Sequence, residues 1–520
     1  MPMLRHFVWL ACLYLMACGP IHAQTKKPFE LPLASNYNVG QLPNGFSPDW
    51  QVDMIKKGHH LLLTFHLPSP GTAMTDHQRK YYSNAMRYAA AHQLPISFVT
   101  QDMELHLYYK EQYNTLPADQ TALVVTEDGS IQKRVSPLGA VEPWRRLGQQ
   151  WTDNEIVRAM ESMYPSPPYV LIIGNNEARK LNWYDAEKDS RYVARYGKGH
   201  SDDEKRRATG EGYVERFRAM IDAMHAGFDA WHGRVIIGAY GASPLRDMGM
   251  RDNWRKPRWY VPGETPYMAR IWEAVSPSQY ITTWNDNNDY TMFSPLAQAM
   301  NLVVQERVFR KVRPDLLWEV SVWDAGRDTR RTAKNKAEIW RKAGQQVGPE
   351  RYRGFVKWMM WIPRARVVRD YRWWNETYDT ALTPYQQVIA AVDEVHNHET
   401  IAEFWQHGEL VHNPARQHPY QVEVPADLAD EPRWFQLDCD ANAPWPWTLK
   451  TQVNVWAFAH VLGEKPDRRW LVYTFSPLAT LKGVSVTLPG YTAVKLSAAP
   501  RGLYHMVNEK TGGIVRVGDQ

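Results

Sequence analysis

The run Tyr169-Val-Leu-Ile-Ile-Gly-Asn-Asn-Glu177 stays apolar for the length of a strand and then ends abruptly in Asn-Asn-Glu. Apolar residues without alternation suit a strand buried on both faces, as in a parallel sheet. A carboxylate at the C-terminal end of such a strand stands where α/β barrels carry their chemistry. Leu316-Leu-Trp-Glu319-Val-Ser-Val-Trp323 is a second run of the same kind. Two carboxyl groups on rigid strands can divide their work. One stays protonated and gives its proton to a leaving oxygen, while the other is ionised and attacks carbon or activates water. That division is what cleavage of a glycosidic bond requires. The competing reading is structural: Glu177 could pair with Arg179, and Glu319 with an arginine elsewhere in the chain.

The elements that must position these groups can be read along the chain. Strands are expected at His59–His66, Pro95–Thr100, Ala122–Thr126, Tyr169–Gly174, Arg234–Tyr240, Gln279–Trp284, Leu316–Trp323 and Gly354–Trp361. The third is the weakest, because the Asp128-Gly-Ser turn after it equally marks a hairpin. Helical patterns alternate with the strands. The clearest, Gly212–Trp231, repeats Val214, Phe217, Ile221, Met224 and Phe228 at three- and four-residue steps. Alternation of this kind predicts a (β/α)8 TIM barrel over residues 59–412. No glycine-rich phosphate fingerprint follows the first strand, which argues against a dinucleotide fold. After the barrel, short strands separated by turns predict an antiparallel β-sandwich over 413–520. Residues 25–58 read as an irregular lead-in.

With these elements in place the chain resembles the clan A retaining glycoside hydrolases. In that group the acid/base glutamate follows an asparagine at the end of strand four, and the nucleophile glutamate lies at the end of strand seven. Asn176-Glu177 and Glu319 match those positions. The resemblance implies that Glu177 protonates the departing oxygen, Glu319 forms the covalent intermediate, and Asn176 hydrogen-bonds the sugar hydroxyl beside the reacting carbon. It also implies an aromatic residue near the end of strand six, matched by Tyr280 or Trp284, and a Trp ending strand eight, matched by Trp358 or Trp361. The chain departs from the group at strand two, where Thr100-Gln-Asp102-Met-Glu104 offers no arginine. Asp102, Glu104, Asp286 and Asp324 therefore stay as rival second carboxylates. An inverting hydrolase and a non-catalytic glycan-binding barrel stay as rival functions.

Arginines cluster where loops should open on the catalytic face. Arg179 and Lys180 follow the fourth expected strand. Arg246, Arg251, Arg255 and Arg258 follow the fifth, Arg327, Arg330 and Arg331 the seventh, and Arg364, Arg366, Arg369 and Arg372 the eighth. Guanidinium groups bind sulfate and carboxylate in paired hydrogen bonds. The substrate expected is an anionic polysaccharide or oligosaccharide, with sulfated algal types such as carrageenan, porphyran or fucan as examples. His66, Tyr240 and Trp323, at expected strand ends, complete the substrate-binding set with Arg179, Trp284, Arg327, Trp358, Trp361 and Arg364.

The 520 residues carry 23 Trp and 27 Tyr, at 44% hydrophobic and 22% charged content. Flat indole faces suit the C–H faces of sugar rings, although a Trp-rich core would use them equally. A formal net charge of +5 is too small to indicate nucleic-acid binding. Residues 1–24 have the basic start, apolar middle and small residues of an export signal. Leu15-Met-Ala-Cys18 resembles a lipobox, so Cys18 offers a lipid anchor, and Ile21-His-Ala-Gln24 resembles an ordinary cleavage site. The expected location is periplasmic, outer-surface or secreted. Of 3 cysteines only Cys439 lies beyond that segment, so no internal disulfide is available to the mature chain. No cofactor is expected. Asp438-Cys-Asp440-Ala-Asn442 has the alternating oxygens of a calcium loop but neither its Gly nor its distant Glu, so calcium is a minor expectation.

Overall fold

The computed structural model of the chain describes residues 31–37, 39, 45–73, 75–101, 103–175, 178–240, 264–280, 306, 309–324, 347–371, 378–416, 432, 434–447, 451 and 453–518. Parallel strands β1 (Leu33–Asn36), β2 (Leu63–His66), β3 (Ile96–Thr100), β4 (Val170–Gly174), β5 (Val235–Tyr240), β6 (Ala274–Ser276, continued by Ser278–Tyr280), β7 (Leu317–Trp323) and β8 (Val367–Asp370) follow one another around a single sheet. β1 pairs with β8 on one side, and an Ala34–Leu61 bridge ties it to the entry of β2 on the other. The bridge is carried by Ala34 N to His60 O at 2.9 Å and Leu62 N to Ala34 O at 2.8 Å. The sheet is thus a (β/α)8 barrel, as expected, although two of its strands are not those expected.

The first strand lies inside the supposed irregular lead-in, at Leu33–Asn36, and Pro48–Lys56 in the same stretch is a helix capped by Ser47. The run at 122–126 is not a barrel strand. Leu123–Val125 pairs antiparallel with Ile131–Val135, the hairpin that the Asp128-Gly turn allows. The apolar run 354–361 belongs to a helix, α1 (Pro349–Trp361), and the true eighth strand is β8. The helix begins at Gly348-Pro349, with proline at its first position, where its missing N–H costs nothing. Its residues 354–361 are buried around the whole circumference, because one side meets the barrel and the other a second domain.

That second domain has a five-stranded antiparallel sheet made of Glu409–Leu410, Trp456–Leu462, Arg469–Phe475, Leu503–Asn508 and Ile514–Val517. A hairpin, Leu481–Thr487 with Ala493–Ala498, packs over it, and Val472, Val484, Val486 and Leu496 fill the space between. This is the expected β-sandwich. The junction with the barrel is aromatic and hydrogen-bonded. Trp358 packs on Phe435, Trp456 and Phe458, and Trp361 Nε1 donates to Tyr504 Oη at 2.7 Å. Tyr473 Oη donates to Gly354 O at 2.6 Å. A methyl group at Gly354 would meet Pro500 O at 2.3 Å. Gly354→Ala should therefore destabilise by about 1–3 kcal/mol through overpacking. Thermal unfolding and protease nicking at the domain junction measure this, and an unchanged midpoint would refute close packing there.

Acid should weaken the fold. Burial lowers the imidazoles of His106 and His396 to about 4, with Lys110 adding to the effect at His106. Burial also lowers His66, His460 and His505. The unfolded chain binds protons near pH ~6.5 that these folded imidazoles refuse, so stability falls from about pH 6.5 toward 4. His200, raised by its bond to the Tyr196 carbonyl, acts oppositely but is exposed. Thermal midpoints measured between pH 7 and 4.5 should fall steadily, and a flat series would contradict these neutral histidines. Among the described residues no helix is long and apolar enough to cross a membrane.

Candidate active site at the barrel mouth

The interior of the barrel is layered. At the bottom, Leu33, Leu62, Leu171, Ile236, Ala274, Leu317 and Val367 form an apolar plug. Above it the filling turns polar. Arg369 donates from Nε and Nη2 to the two oxygens of Glu319, at 2.7 and 2.8 Å. Its remaining donors reach Ser35 Oγ at 2.7 Å and Ser97 Oγ at 3.2 Å. Ser276 Oγ donates to Glu319 Oε1 at 2.6 Å, and Ser35 bonds Thr64 at 2.8 Å. Both members of the ion pair are 0% exposed. A paired guanidinium–carboxylate fork with every partner in place is what allows two charges to stay inside a closed core.

Glu319 is therefore not at its strand end. It is the third of the seven residues of β7, two inward-facing positions below Trp323. Of the two readings of its sequence, the structure favours the ion pair. The Glu319 oxygens are held by a guanidinium and a hydroxyl inside the core. The strand end itself is Trp323, followed by Asp324, which is 4% exposed.

Around that end the described residues build an aromatic wall. Tyr371, after β8, stands edge-on to Trp323, with ring centres 5.5 Å apart at 84°. Tyr37, after β1, lies 5.7 Å from Tyr371. The backbone holds the three in place. Tyr37 N donates to Asp370 O at 3.0 Å and Tyr371 N to Val322 O at 2.8 Å. Asp370 itself accepts from Tyr352 Oη at 2.7 Å and Asn36 Nδ2 at 3.2 Å, which fixes the end of β8. Two further strand ends share this face. His66 closes β2 half-buried, and burial keeps its imidazole neutral at neutral pH. Asn175 leaves β4 with its N–H on Thr100 O at 3.2 Å, and Asn176 and Glu177 follow it in sequence.

The other expected site residues divide into three groups. Asn176, Glu177, Trp284 and Arg327 lie outside the described residues, as do the rivals Asp102 and Asp286 and the arginines at 246–258, 330, 331 and 372. Tyr240 ends β5, where the backbone is described but the side chain is not. Arg179 is exposed beyond β4, with its N–H on Tyr108 Oη at 3.4 Å. The third group is elsewhere in the molecule. Trp358 and Trp361 are buried at the domain junction, because their segment is a helix. Arg364 precedes β8 at the opposite end of the barrel, in a left-handed conformation with φ 50°, and donates to Gly408 O. Arg366 also lies before β8, and Arg369 is the core arginine. The rival Glu104 is 0% exposed and pairs with Lys180 Nζ at 2.8 Å. Tyr37 and Tyr371 were not singled out by the sequence. The signal available for Tyr371 was Val367-Val-Arg-Asp-Tyr, a short strand of which only the first two residues are apolar.

In the second domain, Asp438 is gripped by Arg416 and Asp440 by Lys495, so both carboxylates of the supposed calcium loop already face cations. Among the described residues no cluster of three or more His, Cys, Asp or Glu could hold a metal.

No protein-family model matches the chain, and no curated protein matches it. Among solved structures it is similar to an endo-beta-mannanase/endo-beta-glucanase of Prevotella bryantii at 9% identity and TM-score 0.37, covering 72% of this chain and 50% of that one. It is similar to a GH36 alpha-galactosidase of Geobacillus stearothermophilus at 11% identity and TM-score 0.38, covering 89% and 50%. An endo-beta-1,4-mannanase of Cellulomonas fimi aligns at 11% identity and TM-score 0.33, over 94% of each chain. The chain spans half the length of the first two. The fold assignment rests on the strand order and register above.

Proposed function

We propose that this chain is an exported glycoside hydrolase that cleaves an anionic polysaccharide or oligosaccharide by double displacement at the mouth of its barrel. The observation that carries the proposal is the aromatic wall Tyr37–Tyr371–Trp323 at the C-terminal end of β7, where Asp324 follows Trp323 in sequence. Planar rings at a barrel mouth offer stacking surfaces to sugar rings, and carboxyl groups on strand ends are rigidly spaced. Glu177 is the acid/base, two residues beyond Asn175. Asp324 takes the nucleophile role that the sequence gave to Glu319, since Glu319 is committed to Arg369. Asn176 orients a hydroxyl, and His66 supplies a neutral hydrogen-bonding ring.

The anionic substrate rests on fewer residues than the sequence suggested. Arg364, Arg366 and Arg369 no longer count toward it. Arg179 is exposed beyond β4, and the segments following β5 and β7 contribute Arg246, Arg251, Arg255, Arg258, Arg327, Arg330 and Arg331 in sequence. The export reading rests on the signal-like residues 1–24, with Cys18 as the site of a lipid anchor.

The test is hydrolysis of sulfated and uronate polysaccharides beside neutral ones, with NMR of the first-formed anomer. Retention of configuration is expected, because double displacement inverts the anomeric carbon twice. Net inversion would remove the covalent mechanism. Glycan binding without hydrolysis by the native chain would remove the enzyme reading. Asp324→Asn should abolish turnover. Full activity in this variant would remove Asp324 from the site.

A further inference from the structure

The second domain contains a cleft that the barrel chemistry does not use. Its volume is about 410 Å³, and Arg416, Trp434, Asp438, Cys439, Trp445 and Trp447 are among its lining residues. That volume falls within the roughly 300–1,000 Å³ of small-molecule sites. Three indoles meet there. Trp434 stands edge-on to Trp445 at 5.1 Å and to Trp447 at 5.6 Å, and Trp445 and Trp447 are 6.0 Å apart. Trp434 and Trp447 are buried, and both are locked by their N–H groups, to Gln436 O at 2.9 Å and Ala443 O at 2.8 Å. Trp445 is held between them but stays half-buried, presenting indole surface to the cleft.

The polar groups beside it are balanced in charge. Arg416 spans both oxygens of Asp438 at 3.1 Å and lies 5.5 Å from the centre of the Trp445 ring. Asp440, on the same rim, pairs with Lys495 at 3.2 Å and accepts from Ser485 N at 2.9 Å. An anion entering here would have to displace Asp438 from its guanidinium. Hydroxyl groups would not, because carboxylate oxygens accept further hydrogen bonds while paired. A fixed indole, a planar cation and hydroxyl-accepting carboxylates around a cavity of this size match the alternating C–H and O–H surfaces of an uncharged sugar ring.

We propose that this cleft is a saccharide-binding site for a neutral sugar unit, with the ring stacked on Trp445 and the hydroxyls donating to Asp438 and Asp440. The site stands apart from the barrel, so it survives or fails independently of the reading given above.

The experiment is affinity electrophoresis of the full chain through gels containing galactomannan, mixed-linkage β-glucan or agarose, with carrageenan and polysaccharide-free gels beside them. Retardation is expected in at least one neutral gel. Trp445→Ala should weaken it about tenfold or more. A second measurement needs no variant. Cys439 lines the cleft, and burial pushes its thiol up to about 11, so it reacts slowly with a small uncharged alkylating reagent. The oligosaccharide of the retarding polymer should slow labelling of Cys439 further, read on the peptide by mass spectrometry. The proposal is overturned if no neutral gel retards the native chain, or if folded Trp445→Ala is retarded equally. Labelling of Cys439 that the oligosaccharide leaves unchanged would also overturn it.

Discussion

Glu177→Gln should lower kcat on polysaccharide by about 10²–10⁴-fold, the range that a positioned proton donor contributes. The amide keeps the size and hydrogen-bonding reach of the side chain but cannot give up a proton at the required moment. The loss should depend on the leaving group. Aryl glycosides that depart as stable phenolates need little protonation, so bond cleavage in the variant should be nearly normal with them. The second step, in which the same group deprotonates water, should then become limiting, and a burst of phenolate should precede slow turnover. A uniform loss across good and poor leaving groups would mean that Glu177 positions substrate rather than transferring a proton. Full activity would remove it from the site.

Glu319→Gln should have its largest effect on the fold. Glu319 neutralises a guanidinium that is 0% exposed and whose other donors are fixed to Ser35 and Ser97. Removing the negative charge leaves Arg369 uncompensated in the core, at a cost of about 3–5 kcal/mol. Denaturant unfolding followed by fluorescence should show the midpoint falling accordingly. Replacing both partners together, Glu319→Leu with Arg369→Met, should cost less than the sum of the single changes, because no unpaired charge remains. The chemical role first read for Glu319 predicts the reverse: native stability with no turnover. That pattern in Glu319→Gln would return the nucleophile to this residue and remove Asp324.

The pair also separates what the sequence of β7 shows from what it hides. A glutamate in an otherwise apolar strand was legible as a residue with a buried partner or a task. The choice between them required Arg369, which lies fifty residues away in sequence and in a strand that was missed. Val367–Asp370 is four residues long and puts an arginine toward the barrel axis, so it has neither an apolar run nor the usual alternation. Leu33–Asn36 was missed for the same reason: its inward Ser35 serves the polar layer rather than an apolar core. The numbering of the fourth and seventh strands survived because two errors cancelled. One strand was overlooked at 33–36 and one was supplied at 122–126, where a hairpin stands. The eighth strand had no such compensation, and Trp358, Trp361 and Arg364 were misplaced with it.

What the sequence determined by itself was the class of architecture and the domain order. β4, β5 and β7 are long, apolar and buried, so local pattern and tertiary environment say the same thing there. Glu177 as a carboxylate just beyond β4 was likewise legible, as were the Trp-rich second domain and its change to short antiparallel strands. Only the tertiary structure decided which charges are partners and which aromatic rings share a surface. Glu319 and Arg369 come together because β8 pairs with β7, and Tyr37 and Tyr371 because closure of the barrel lays β8 beside β1. Closure joins the two ends of the barrel domain, and no spacing along the chain encodes that contact.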